Sequence, residues 1–127
     1  DILKKDGWTT RAKSYETFCP LGPVIATGLD TSNLSIKAMV NNKVVQDGNT
    51  GRMIFSVKKI ISYISEFMLL QPGDVIITGT PLGGAFTANA GDTVEIQIEG
   101  IGVLKNRVVG CKYLYRKYIK GGQENGF

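Results

Sequence analysis

The sequence predicts a β-dominated α+β domain, and three observations carry that prediction. Apolar and polar residues alternate over 34–48 and again over 90–110. One stretch, 53–68, repeats its apolar residues at helical spacing, and Gly, Pro or Asn stands at the breaks between these segments. At 127 residues the chain is long enough for one domain with a hydrophobic core and too short for two, so 1–127 is read as a single domain. Apolar residues at 43% and charged residues at 20% are globular values that exclude a disordered chain.

Taken in order, residues 1–12 are polar and without periodicity, an arriving loop. Residues 14–27, SYETFCPLGPVIAT, carry aromatic and β-branched side chains interrupted by Pro20 and Pro23, which confine the run to an edge or to irregular backbone and predict two short extended pieces. In LSIKAMVNNKVVQDG, residues Leu34, Ile36, Ala38 and Val40 alternate with polar neighbours up to Asn41-Asn42. Asn tolerates left-handed backbone, so this is a hairpin. Met53, Ile54, Val57, Ile60, Ile61, Ile64, Phe67 and Met68 then recur at three- and four-residue spacing. They predict a long helix capped by Asn49 or Thr50 and ended before Pro72-Gly73. Burial of that stripe is worth on the order of 1.5–3 kcal/mol per large side chain, so the helix is expected to pack on the sheet.

The run Val75-Ile76-Ile77 reads as a buried strand that stops at Thr78-Gly79-Thr80-Pro81. Beyond it, Val94, Ile96 and Ile98, then Val103 and Val108, alternate about a tight turn at Gly100 and Gly102. The basic, aromatic stretch KYLYRKYIK (112–120) predicts a terminal strand with a solvated face, and 121–127 a frayed tail.

Composition narrows the chemistry. There is no histidine, which excludes a Ser-His-Asp triad, a Cys-His pair and a histidine metal site within this chain. Cys19 and Cys111 form no C-x-x-C motif and read as reduced, buried thiols. A net charge of +4 is mild, so nucleic acid is not an expected partner. No apolar run approaches a membrane span and DILKKDGW has no signal-peptide core, so a soluble, cytoplasmic protein is expected, with no membrane partner.

The glycine-rich stretch TGTPLGG (78–84) is no nucleotide loop: no Lys follows the glycines and the next segment leads into a strand. Two readings remain open. Thr78 and Thr80 can donate hydroxyls to a carboxylate or phosphate where a strand runs out of partners. Equally, they can satisfy their own backbone in an ordinary Gly-Pro turn.

Four motifs in order resemble the fumarylacetoacetate hydrolase family, especially its acylpyruvate hydrolases and 2-hydroxyhepta-2,4-diene-1,7-dioate isomerases. They are KSYETFCPLGP (13–23), VNNKVVQDGNTGRMIF (40–55), QPGDVIITGTPLGG (71–84) and GDTVEIQIEGIGVLKNRV (91–108). The resemblance implies a β-roll or mixed sheet with one long packed helix. It also implies a homodimer and a divalent cation, Mg²⁺ or Mn²⁺, that holds a short 2-oxo or diketo acid. Such a cation stabilises the enolate formed on C–C cleavage or tautomerisation.

Carried onto this chain, the resemblance makes Lys13 the active-site lysine that offsets substrate charge. It makes Thr80 the receiver of the substrate carboxylate, with Gly79 admitting the ligand to the backbone. Thr17 matches a position near the metal, and Asn49 and Thr50 are candidates for the mouth of the site, helix capping being the other reading of both. The family's E-x-E metal ligands and later Asp lie upstream of the KSYETF motif. No E-x-E occurs here; Glu95 and Glu99 read as solvent-facing, and nothing around Asp1 or Asp6 supports a ligand. The metal ligands are therefore expected to be absent from this chain, which would be the C-terminal part of an enzyme. The alternative is a non-catalytic paralogue or binding module on the same scaffold.

Overall fold

The structure is a computed structural model and describes residues 13–81 and 84–110. Strand β1 (Ser35–Val40) and β2 (Lys43–Asn49) are followed by a 3₁₀ turn, Thr50–Arg52, and helix α1 (Val57–Ser65). Strands β3 (Thr93–Ile98) and β4 (Gly102–Arg107) complete a four-stranded sheet of order β2-β1-β3-β4. Each described ladder is antiparallel.

Both hairpins form where their turn residues stand. Asn41 and Asn42 adopt φ of 49° and 67°, the paired left-handed conformation of a two-residue hairpin loop. Gly100, at φ 75°, turns β3 into β4, and the Ile101 N–H donates back to the Ile98 carbonyl at 3.1 Å.

Strand register sorts the side chains onto two faces. Because paired residues share a face, Ile36, Ala38 and Val40 of β1 lie with Ile98, Ile96 and Val94 of β3. Lys37, Glu95 and Lys105 lie on the other face, where Lys105 Nζ meets Glu95 Oε1 at 2.6 Å. The core sits on the apolar face, with Ala38 only 1% exposed. One departure shapes this face: the β1–β2 register shifts between Ala38 and Met39, so Val45 is extra and Gln46, not Val45, pairs with Ala38.

The α+β class and both hairpins match the sequence reading; several details differ. The helix covers nine residues instead of the whole stripe, because Ser56 falls within the stripe and caps α1 by accepting from the Lys59 N–H at 3.3 Å. Asn49 caps the preceding 3₁₀ turn instead. At the other end, the Glu66 and Phe67 N–H groups reach back only three residues, to Tyr63 and Ile64, and the helix tightens and stops. No residue of α1 is buried.

Residues 75–77 form no strand, and Ile77 is 77% exposed, since a strand needs a partner ladder and none of the described strands pairs with them. The segment 14–27 joins no strand and holds turns and bends at 15–19 and 23, the irregular backbone that Pro20 and Pro23 allow. Its Cys19 is free and exposed, not buried, as are its neighbours in the turns and bends of 15–19. Val103 lies on the polar face, 42% exposed, while Leu104 takes the apolar side. The expected loop at 1–12, the strand at 112–120, Cys111 and the tail at 121–127 lie outside the described residues. Among the described residues no helix is long and apolar enough to cross a membrane.

One carboxylate ties the two hairpins together. Asp92 accepts from the Asn89 backbone N–H at 2.7 Å and from Asn41 Nδ2 at 2.8 Å, while Asn41 Oδ1 accepts from the Thr93 N–H at 2.9 Å. Those donors, the Asn89 N–H foremost, hold the Asp92 carboxyl below its ordinary value. Since the folded pKa is the lower one, the stabilisation is complete above the unfolded value of about 3.9 and disappears as pH falls through the folded one. Urea titrations of the chain and of Asp92→Ala should therefore differ by a constant amount at neutral pH, and the gap should close below about pH 4.

Candidate functional site

Two rows of paired residues cross the apolar face. One runs Leu104, Ile96, Ala38, Gln46; the other runs Gly102, Ile98, Ile36, Gly48. The KSYETFCPLGP segment meets both rows at the β4 end. A Cβ at Gly22 would stand 3.5 Å from Leu104 Cδ1, and one at Gly102 would stand 3.6 Å from Pro23 Cγ. The TGTPLGG segment meets both rows at the β2 end. Pro81 lies 3.5 Å from the Cβ position of Gly48, and Gln46 Nε2 donates to the Gly84 carbonyl. The two segments that carry the candidate residues therefore share one face of the sheet.

Thr80 directly precedes the anchored Pro81, is exposed, and follows Gly79. Gly79 has φ 92°, a conformation that disfavours a side chain, and a Cβ there would meet nothing within 4 Å. The backbone at Gly79 is thus open to a ligand. Thr17 has φ 70°, in a turn where the Phe18 N–H donates to the Tyr15 carbonyl at 3.1 Å. A β-branched residue in left-handed backbone is strained by on the order of 1–3 kcal/mol, a mark common at binding sites. Lys13 is exposed and lies nine residues before Gly22, a tether of at most about 30 Å. The β2 and β4 anchors are three strand spacings apart, about 14 Å, so the tether permits Lys13 to reach Thr80.

Asn49 and Thr50 have local partners. Asn49 pairs with Ser35 on the polar face, and its Oδ1 accepts from the Gly51 N–H at 2.7 Å. Thr50 Oγ1 accepts from the Leu34 N–H at 2.7 Å, and the Thr50 N–H donates to the Leu34 carbonyl at 3.0 Å. Thr50 also lines a cleft of about 230 Å³ with Asp30, Ser32, Ser56 and Lys58, whose lining includes neither Gly79 nor Thr80. The Ser32 N–H and hydroxyl, both 3.0 Å from the Asp30 carboxylate, hold its pKa below the ordinary value. Among the described residues no three of His, Cys, Asp and Glu are placed to hold a metal ion.

Gln46 and Gly84 are absent from the sequence-derived candidates, although they hold the Thr80 loop. Counting back from the Asn41-Asn42 turn without a bulge puts Val45 on the apolar face and Gln46 on the polar one. The extra residue reverses that assignment. A polar residue amid Val-Val and Gly would have been the signal.

The family profile described as "Fumarylacetoacetate (FAA) hydrolase C-terminal" matches residues 1–109. A protein of Methanocaldococcus jannaschii, MJ1656, is 49% identical over 108 residues, 85% of this chain and 45% of its own length. The human mitochondrial oxaloacetate tautomerase FAHD2A is 45% identical over 106 residues, covering 76% of this chain and 34% of that protein. Among solved structures, 2-hydroxyhepta-2,4-diene-1,7-dioate isomerase from Mycobacterium marinum superposes with a TM-score of 0.80 at 50% identity. It covers 84% of this chain and 42% of the isomerase. Maleylpyruvate hydrolase from Sphingobium sp. SYK-6, in complex with manganese(II) and pyruvate, gives a TM-score of 0.71 at 39% identity, covering 75% and 37%. The chain thus spans less than half the length of each.

Thr50→Val separates a structural role from a ligand-binding one. It leaves the half-buried Leu34 N–H without its acceptor, so it should lower stability by about 1 kcal/mol, read as a lower urea midpoint at unchanged slope.

Proposed function

Since the chain belongs to the fumarylacetoacetate hydrolase family, we propose that it supplies the carboxylate-binding wall of an enzyme that hydrolyses or isomerises short 2-oxo or diketo acids. The observation that carries this reading is the seating of KSYETFCPLGP and TGTPLGG on one face of the sheet. The hydrolase, isomerase and tautomerase named among the relatives support the reaction class: oxaloacetate and maleylpyruvate are 2-oxo acids, and the 2-hydroxy-diene acid is the enol form of one.

In this proposal the Thr80 hydroxyl and the backbone at open Gly79 donate to the substrate carboxylate, which fixes the direction of the adjacent oxo group. Tautomerisation removes a proton from the carbon beside that oxo group; in C–C hydrolysis water adds to the distal carbonyl, which departs as a carboxylic acid while the same carbon leaves with the electron pair of the broken bond. Either step leaves an enolate, and the Lys13 ammonium lowers its cost by offsetting the charge as it develops. Thr17, held in left-handed backbone, lines the Lys13 side. The described residues do not fit a resident divalent cation, and no step is routed through one. Mg²⁺ or Mn²⁺, the latter supported by the manganese in the maleylpyruvate hydrolase complex, would be held by residues other than those described.

The apolar surface supports a larger assembly. Ile25, Ile54 and Leu69 are 94%, 92% and 86% exposed, and Ala38 is the one buried apolar residue among those described. The relatives contain more than twice the length matched here, which suits a portion of a catalytic domain covered by further protein. A homodimer would add to that cover. The second reading, a binding module without catalysis, is favoured by the lack of a metal-ligand cluster among the described residues.

In the active protein, Lys13→Met and Thr80→Val should each cost on the order of 2–4 kcal/mol of transition-state stabilisation, roughly 30- to 900-fold in kcat/KM for an acylpyruvate or oxaloacetate. Unchanged kcat/KM in both variants overturns the site. Calorimetry with oxalate in the presence and absence of Mg²⁺ separates the second reading. Oxalate binding that ignores the metal, without turnover, is the signature of the module.

A further inference from the structure

We infer that Gln46 is a positioning residue for Thr80, acting through the Gly84 carbonyl; the role of Thr80 as carboxylate receiver rests on the function proposed above. Three contacts carry the inference. Gln46 reaches the apolar face only because of the bulge at Val45, and there its Nε2 donates to the Gly84 carbonyl. The Gly84 N–H donates to the Pro81 carbonyl at 2.9 Å, which ties Gly84 to the residue directly after Thr80. Gly84 itself is buried, and a Cβ on it would fall 2.8 Å from the Pro81 carbonyl oxygen, 2.9 Å from Thr80 Cγ2 and 3.0 Å from Gln46 Nε2.

The Thr80 methyl therefore packs on the one residue type small enough to receive it. A threonine carries its methyl and hydroxyl on the same Cβ in staggered positions, so seating the methyl selects one rotamer and sends the hydroxyl elsewhere. Gln46 holds the carbonyl of the residue on which the methyl rests. If that hold is lost, Gly84 keeps its hydrogen bond to Pro81 but no longer has a fixed seat against β2. Gly48 contributes differently: its Cβ position lies 3.5 Å from Pro81, an ordinary contact that an alanine can make.

The test uses the full chain and three substitutions: Gln46→Met, which keeps the length of the side chain without its amide, Gly84→Ala, and Gly48→Ala as the control. Three-bond couplings at the Thr80 methyl report its rotamer without any ligand. A single rotamer in the unmodified chain and in Gly48→Ala, with averaging in Gln46→Met and Gly84→Ala, is the expected result. Retention of the single rotamer in a folded Gln46→Met overturns the inference.

Oxalate titration supplies the functional arm. In the active protein with Mg²⁺ present, Gln46→Met should weaken oxalate binding about tenfold, the equivalent of one hydrogen bond, with the unfolding midpoint measured on the same sample. Averaged rotamers with unchanged oxalate affinity, where Thr80→Val does weaken it, would overturn the role in binding. If Thr80→Val leaves oxalate affinity untouched while the Gln46→Met rotamer averages, positioning stands and only the carboxylate reading of Thr80 falls.

Discussion

The register of β1 against its two neighbours is the constraint on which the remaining structure depends. With Ala38 between Ile96 and Gln46, and Ile36 between Ile98 and Gly48, two straight rows of side chains cross the sheet. A slip of one residue would send Ile36, Ala38, Ile96 and Ile98 to the polar face, where Lys37, Glu95 and Lys105 now stand. The same slip would detach both flanking segments. Gly22 and Pro23 rest on Leu104 and Gly102 at one end of these rows, and Pro81 and Gly84 rest on Gly48 and Gln46 at the other. The seating of both segments therefore depends on the same register as sheet pairing, which links the fold to the proposed site.

Glycine size matters at the two points where this assembly is tightest. At Gly84 no side chain fits between Pro81, Thr80 and Gln46, while at Gly100 a Cβ would fall 2.9 Å from Leu29 Cδ1 in a turn that already needs left-handed backbone. The first holds the TGTP loop on the sheet; the second holds the β3–β4 turn beneath the segment that follows Pro23. Energy is scarce elsewhere, because most large apolar side chains outside the sheet remain exposed. The sheet face is the described part that is already organised. The helix and residues 75–77 present surface that further protein would have to cover.

Features set by neighbouring residues were legible in the sequence. Alternation located β1, β3 and most of β2, and Asn41-Asn42 and Gly100 marked their turns, since strand period and left-handed backbone are local properties. Features set by what lies across a ladder were not. The helical stripe at 53–68 overstated α1 because periodicity records which side chains could be buried, not whether a surface receives them, and Ser56 caps the helix from inside the stripe. Val75 to Ile77 reads as a strand by composition but has no partner among the described strands. Thr80 and Lys13, the residues of the proposed site, were nameable only through motif words. Gln46 was not, because a single extra residue in β2 turned it from the polar face to the apolar one.

The most direct measurement of shared-face assembly is a crystal structure of the active protein with oxalate bound. A carboxylate oxygen within about 3 Å of the Thr80 hydroxyl, with the Lys13 ammonium within about 4 Å of the same ligand, is the predicted result. Oxalate bound away from Thr80, or Lys13 and Thr80 too far apart to touch one small acid, would contradict it.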